Sequence, residues 1–143
     1  MPLTRITGRN LVVKFAPVGQ TEAQAVTISS GGRGFTVDES DDELDVTGYN
    51  DPGRVTAPAG YPRRSATITV AYEVGDPNDL LTLLAVGNEG TLYWYREGIG
   101  TGKPKEQMDV WISSRSRPMP HNEQMVMNVT FSATSGITSG TQA

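Results

Sequence analysis

The 143-residue chain has no cysteine and a single histidine. Without cysteine there is no disulfide framework and no thiolate metal site. His121, in a proline-flanked loop beside Asn122 and Glu123, has no second His or Cys with which to hold a transition metal. No apolar run approaches the roughly 20 residues of a membrane span. The segment MPLTRITGRNLVVKFAP carries basic residues, but its apolar run is broken by Lys14 and is too short for the core of a secretory leader. A soluble protein made in the cytosol is the expectation. Positive charge is also scarce, with 12 Lys and Arg against 16 Asp and Glu and a formal net charge of −4. Direct binding of nucleic acid needs a cationic footprint and is disfavoured. A surface past which nucleic acid slides without sticking is compatible with this balance.

Catalytic spacings are missing too. No serine occupies a nucleophile-elbow motif. Gly98-Ile99-Gly100-Thr101-Gly102-Lys103 lacks the spacing of a phosphate-binding loop and lies between strands, so it reads as a flexible hairpin tip. The run Asp38 to Asp45 (DESDDELD) is acidic at six of eight positions. It could offer oxygen ligands to calcium, but it lacks the EF-hand spacing and its central glycine. A solvated acidic face and an electrostatic docking strip are the other readings. No catalytic residue, metal ligand or cofactor is assigned.

What the chain does have is alternation. Asn10–Ala16 is a short apolar run closed by Pro17, read as a strand. Ala23–Ser29 and Gly34–Asp38 flank Gly31-Gly32 and predict an antiparallel hairpin. Ser65–Val74 (SATITVAYEV) alternates with period two, with Ala66, Ile68 and Val70 on one face and Thr67 and Thr69 on the other. Residues 76–86 (DPNDLLTLLAV) predict one short helix, with Asp76 as N-cap, Pro77 in the first turn and Gly87 as the stop. Its leucines must lie on the sheet. Gly90–Glu97, Gln107–Ser113 and Glu123–Thr134 read as three further strands, and Arg115–Asn122 as a loop. In the first of these, Tyr93, Trp94 and Tyr95 suggest a carbohydrate-stacking platform, but alternation lets at most two share a surface. Trp94 in the core with the tyrosines at an exposed edge is the preferred arrangement. Ser135–Ala143 is rich in small residues and reads as a flexible tail.

Between the strands lies one long irregular stretch, about 40–63, with three prolines, three glycines and no sustained periodicity. Connections beyond about 12–15 residues are usually functional or disordered. Its start is acidic, and its end carries Arg54, Arg63 and the adjoining Arg64. If those arginines answer the acids of a neighbouring subunit, the stretch is a charged clasp. If they answer their own, it closes on itself.

The predicted fold is mainly β, a single domain over 1–143. It is an antiparallel β-sandwich or partly closed barrel with one short flanking α-helix at about 76–86. The order of parts resembles the major tail (tail-tube) proteins of long-tailed bacteriophages. Strand pairs come first, then a long loop with Asp45-Val46-Thr47-Gly48-Tyr49. SATITVAYEV follows, then a helix opened by Asp76-Pro77, an aromatic strand, and a last strand ending Val129-Thr130-Phe131-Ser132-Ala133.

The resemblance implies a non-enzymatic virion protein without cofactors. Such subunits form stacked, hexameric rings and a tube that conducts DNA. The partners implied are other copies of the chain, a tape-measure protein, a tail terminator and baseplate or tail-tip proteins. DNA is a partner only in transit, and no membrane is involved. Assembly is expected in the host cytoplasm. The long loop then supplies inter-subunit candidates: Asp41, Asp42, Glu43, Asp45, Tyr49, Arg54, Tyr61, Arg63 and Arg64. The polar strand faces supply lumen candidates: Thr67, Thr69, Glu73, Gln124, Asn128 and Thr130. A terminator or head–tail connector ring on a related fold, and a carbohydrate-binding sandwich using Tyr93 or Tyr95, are the alternatives.

Overall fold

The computed structural model describes residues 10–30, 34–50, 52–58, 60, 62–71, 80–122 and 126–142. Its strands are β1 (Val12–Pro17), β2 (Val26–Ser30), β3 (Thr36–Ser40), β4 (Glu43–Asp45), β5 (Thr56–Pro58), β6 (Arg63–Ala71), β7 (Glu89–Tyr95), β8 (Pro104–Ser116), β9 (Val126–Ala133) and β10 (Thr138–Thr141), with one helix, α1 (Leu80–Leu83). The main sheet is antiparallel in the order β2-β1-β7-β8-β9-β6-β3, with β10 also on β8; β4 and β5 form a separate ribbon.

The 13-residue β8 organises the layers. Its Glu106–Trp111 segment pairs with β7, and its Val110–Ser116 segment pairs with β9. The sheet therefore folds over along β8, and the two halves face each other across one core. Period-two alternation sends Val13 and Phe15 of β1, Leu92 and Trp94 of β7, Ile68 and Val70 of β6, and Val129 and Phe131 of β9 into that core. The Phe15 and Phe131 rings meet across the layers with centroids 5.8 Å apart, and Phe35 meets Trp94 at the same separation. Truncating a core aromatic of this kind costs about 3–5 kcal/mol. Of the two expected forms, the sheet takes the sandwich-like one, since β2 and β3 end the path without pairing to each other.

That corrects the expected hairpin. β2 pairs with β1 and β3 pairs with β6, so the two segments are edge strands in opposite layers. Local turn signals do not specify partners when longer-range strands offer larger apolar faces. Ala23 is not in a strand either, because Glu22–Gln24 form a 3-10 turn closed by Gln24 Oε1 accepting from Thr21 N–H at 3.0 Å.

The helix is shorter than 76–86 at its C-terminal end; residues 72–79 lie outside the described segments. Leu80 and Leu84 enter the core as expected. The chain leaves the helix at Leu84 and turns through Gly87, whose φ is +94°. The exposed carbonyls are satisfied from outside the helix. Asn88 Nδ2 donates to Thr82 O (3.1 Å) and Leu83 O (2.9 Å), and Arg115 Nη1 donates to Leu81 O (2.6 Å) and Leu84 O (3.1 Å). Arg115 therefore belongs to a strand and to a helix cap, not to a loop.

The tail is correspondingly not loose. β10 pairs with β8 from Thr138↔Gln107 to Thr141↔Pro104, continuing the edge that β9 leaves at Ala133↔Val110. Gln142 then fastens the β7–β8 turn with four hydrogen bonds, two from its backbone and two from its side chain, to Gly98, Gly100, Gly102 and Lys103.

One glycine is set by close packing. A Cβ at Gly90 would lie 2.3 Å from Ala16 O and 2.7 Å from Phe15 Cζ. Gly53 has nothing within 4 Å of that position. Gly90→Ala is expected to lower unfolding stability by about 1–3 kcal/mol in urea titration, while Gly53→Ala stays within about 0.5 kcal/mol.

Candidate assembly surfaces

The long stretch is a β-ribbon arm. The β3–β6 ladder runs to Ser40↔Arg63, and beyond it β4 and β5 pair as Glu43↔Pro58, Leu44↔Ala57 and Asp45↔Thr56. Pro58 fits because β5 has a partner on one side only. The sequence carries a trace of this ribbon in the alternation of Leu44 and Val46 with acids, but three residues per strand is too short to stand out against the flanking Gly and Pro.

The tip is stitched by Asp45 and Thr47. Asp45 Oδ1 accepts from Thr47 N–H (3.0 Å) and from Thr47 Oγ1 (2.6 Å); Thr47 Oγ1 in turn accepts from Val55 N–H (2.8 Å), and Val46 N–H donates to Val55 O (2.9 Å). The hydrogen bonds from the Thr47 side chain and backbone hold the Asp45 carboxyl below its usual range. Beyond this stitch Tyr49 is fully exposed, and Leu44 and Val46 are half exposed.

The arginines meet acids of their own arm. Arg54 lies 3.9 Å from Asp45, Arg63 pairs with Asp42, and Arg64 Nε lies 3.4 Å from Glu39. In the single chain the arm thus closes on itself. The Arg54 and Arg63 pairs are open to water and hold little stability. Arg64 is more enclosed, and its Nε has no hydrogen-bond partner among the described residues despite the nearby carboxylate. Asp41 and Glu43 are exposed and meet no cation among the described residues. Tyr61 lies outside the described residues. No group of three His, Asp or Glu among the described residues is placed to hold a metal ion.

The lumen candidates share a second surface. Thr67 pairs in register with Thr130 and Thr69 with Asn128, all on the face of β6 and β9 opposite the core. Thr69 Oγ1 donates to Asn128 Oδ1 at 2.9 Å. Neighbouring positions of the same face are Thr36, Ser65 and Ser132. The surface is rich in hydroxyls. Glu73 and Gln124 lie outside the described residues.

The opposite layer's outer face is charged and partly covered. The 3-10 turn brings Glu22 onto β7 and β8, where Glu22 Oε1 accepts from the Tyr95 hydroxyl (2.7 Å) and Oε2 from Lys105 Nζ (2.7 Å). Lys14 Nζ lies 5.6 Å from the Tyr95 ring centroid. No sequence spacing foretold this cluster, since Glu22 and Lys105 are 83 residues apart. It corrects the expected exposed tyrosines. β7 is a central strand, and Tyr93 and Tyr95 are only 7% and 2% exposed. Neither can stack a sugar, which removes the carbohydrate platform.

Burial pushes the Tyr95 hydroxyl far above its usual range, reinforced by its hydrogen bond to Glu22. Burial alone would raise the Glu22 carboxyl, but the hydrogen bonds from Lys105 and Tyr95, with the charges of Lys105 and Lys14, lower it overall. A carboxyl lowered in the folded state contributes stability that is present above its unfolded pKa and lost as pH falls through the folded one. The urea midpoint of the protein is therefore expected to exceed that of Glu22→Gln at pH 7, with the gap closing below about pH 4 as Glu22 protonates. A gap independent of pH would contradict the ion pair.

No protein-family model matches the sequence, and no curated protein matches it significantly. Solved structures do match in shape. A chain from the tail of an empty gene transfer agent particle, refined with C6 symmetry, superposes with a TM-score of 0.68 at 16% identity, covering 96% of this chain and 98% of that one. The SPP1 tail tube gives 0.75 at 13% identity, covering 96% and 80%. The baseplate of the anti-feeding prophage, 6-fold symmetrised, gives 0.67 at 6% identity, covering 99% and 98%. At these identities the likeness is one of fold, and it spans nearly the whole chain: the chain has the fold seen in phage tail tubes and related tail assemblies.

Proposed function

We propose that the chain is a structural, non-enzymatic subunit that self-assembles into stacked rings, six copies to a ring, forming a tail tube through which DNA is delivered. The observation that carries this reading is the match in fold, over 96% of the chain, to a chain of a C6-symmetric tail and to the SPP1 tail tube. The described surface supports it. Among the described residues β2 and β3 are the edges of the sheet, with a strand partner on one side only, and such edges invite pairing with another chain unless blocked. Contacts between unlike surfaces that close make rings, and a second set that does not close makes filaments.

The two other features take roles in the same assembly. The arm, with Asp41, Asp42, Glu43, Asp45, Tyr49, Arg54, Arg63 and Arg64, reaches a neighbouring copy. Thr67, Thr69, Asn128 and Thr130 face the lumen, where hydroxyls offer phosphates no fixed cation to hold them. A tape-measure protein inside the tube, and a terminator and baseplate proteins at its ends, complete the partners. The setting is the virion tail, assembled in the host cytoplasm.

Electron microscopy of the purified protein in negative stain tests this. Tubes of uniform diameter with six-fold end views are the expected result. Isolated rings that never stack would favour a terminator or connector. Monomers at every concentration would contradict assembly without further components.

A further inference from the structure

The arm carries the chain's charge imbalance. Residues 38–64 hold seven acids and three arginines, so the formal net charge of −4 lies wholly in this segment and the remainder is balanced. Asp42, Asp45 and Glu39 have arginine partners within the arm, whereas Asp41 and Glu43 have no cation among the described residues. Next to them stand the exposed apolar side chains of Leu44, Val46 and Tyr49. An acidic ribbon with an apolar strip is complementary to a cationic surface with an apolar centre.

The loop 117–122 offers one fixed cation, Arg117, an imidazole hydrogen-bonding group, His121, and an apolar side chain between them. Arg117 and His121 are exposed on either side of Met119, which is 64% exposed. No carboxylate among the described residues is within ion-pair distance of Arg117. Pro118 and Pro120 restrict the backbone, which lowers the entropy lost on docking. Among the described residues other cations are less suited. Lys105 and Arg96 are engaged by Glu22 and Glu106. The turn bearing Ile99 and Lys103 precedes Pro104 of β8, at the arm's own end of the strand.

Strand register sets the geometry. Near the arm's root Ser65 pairs with Ser132; at the far end Ala71 pairs with Val126, and Ser116, the residue before the loop, pairs with Asn128. Arm and loop thus lie at opposite ends of the β6–β9–β8 ladder, roughly 20 Å apart along β6 from Arg63 to the level of Thr69 at about 3.3 Å per residue. A contact between unlike surfaces at opposite ends of a subunit repeats without closing when copies stack head to tail.

We propose that loop 117–122 is the socket for the acidic arm of the next copy along the tube. Arg117 and His121 answer Asp41 and Glu43, and Met119 seats against Leu44, Val46 and Tyr49. This rests on the tube reading and supplies the partner surface for the arm.

A charge-swap series read by sedimentation and negative-stain microscopy tests it, with thermal melts confirming that each variant folds. Arg117→Glu and Glu43→Arg are each expected to cut the pelleted polymer at least tenfold at 0.15 M salt, and the double variant to restore it. Polymer unchanged by Arg117→Glu, or single defects that add in the double variant, would overturn the socket while leaving the tube intact. No polymer from the unmodified protein would overturn the tube reading and the socket with it. If a charge variant fails to fold, Tyr49→Cys with Met119→Cys decides in a chain that has no other cysteine. A ladder of disulfide-linked oligomers on oxidation supports the socket. No linkage beyond that of the single-cysteine variants overturns it.

Discussion

The constraint on which the structure depends is that one antiparallel sheet covers one core without closing. β8 belongs to both layers, and folding the sheet along it brings Phe15 against Phe131 and Phe35 against Trp94. The apolar faces are consumed internally, whereas β2 and β3 have a strand partner on one side only among the described residues. A closed barrel has no such edges. An open sandwich leaves its edge strands available, so the architecture that stabilises the chain also suits the proposed assembly.

The arm follows from the same ladder. β3 and β6 do not end where the core ends; their pairing continues to Ser40↔Arg63, and β4 with β5 extend the ribbon. Its order comes from backbone pairing, the Asp45–Thr47–Val55 stitch and three ion pairs, with little apolar burial. Such an element is marginal alone, because a two-stranded hairpin is barely stable in water. Leu44, Val46 and Tyr49 remain exposed, and in the proposed assembly a neighbouring copy covers them.

Much of the core was legible in the sequence. The alternation in Ser65–Val74 predicted the inward positions Ala66, Ile68 and Val70, all of which are buried, and in the strand predicted over Glu123–Thr134 the alternate residues Met127, Val129 and Phe131 are buried too. Burial on one face imposes period two, and period two survives in a sequence. Pairing partners were not legible. β2 and β3 look like a hairpin locally, and their true partners β1 and β6 are chosen by the whole sheet. The tail's small residues concealed β10, which is held by backbone hydrogen bonds and Gln142 and needs no apolar pattern. The tyrosines of β7 were misplaced for a similar reason, since their cover comes from a 3-10 turn some 70 residues earlier. Of the candidate surface residues, the ion pairing of Arg63 and Arg64 within the arm was one of two open alternatives. The register of Thr67 with Thr130 and of Thr69 with Asn128 came only from the structure.

The central claim is that other copies of the chain complete the free edges and the arm. Amide hydrogen exchange, compared between dilute subunits and assembled polymer and resolved by peptide, tests it most directly. The account predicts that protection gained on assembly concentrates in β2, in β3 and in residues 41–58, while β7, β8 and β9 change little because their amides are already paired. Unchanged exchange in β2, β3 and the arm, with protection appearing elsewhere, would contradict it.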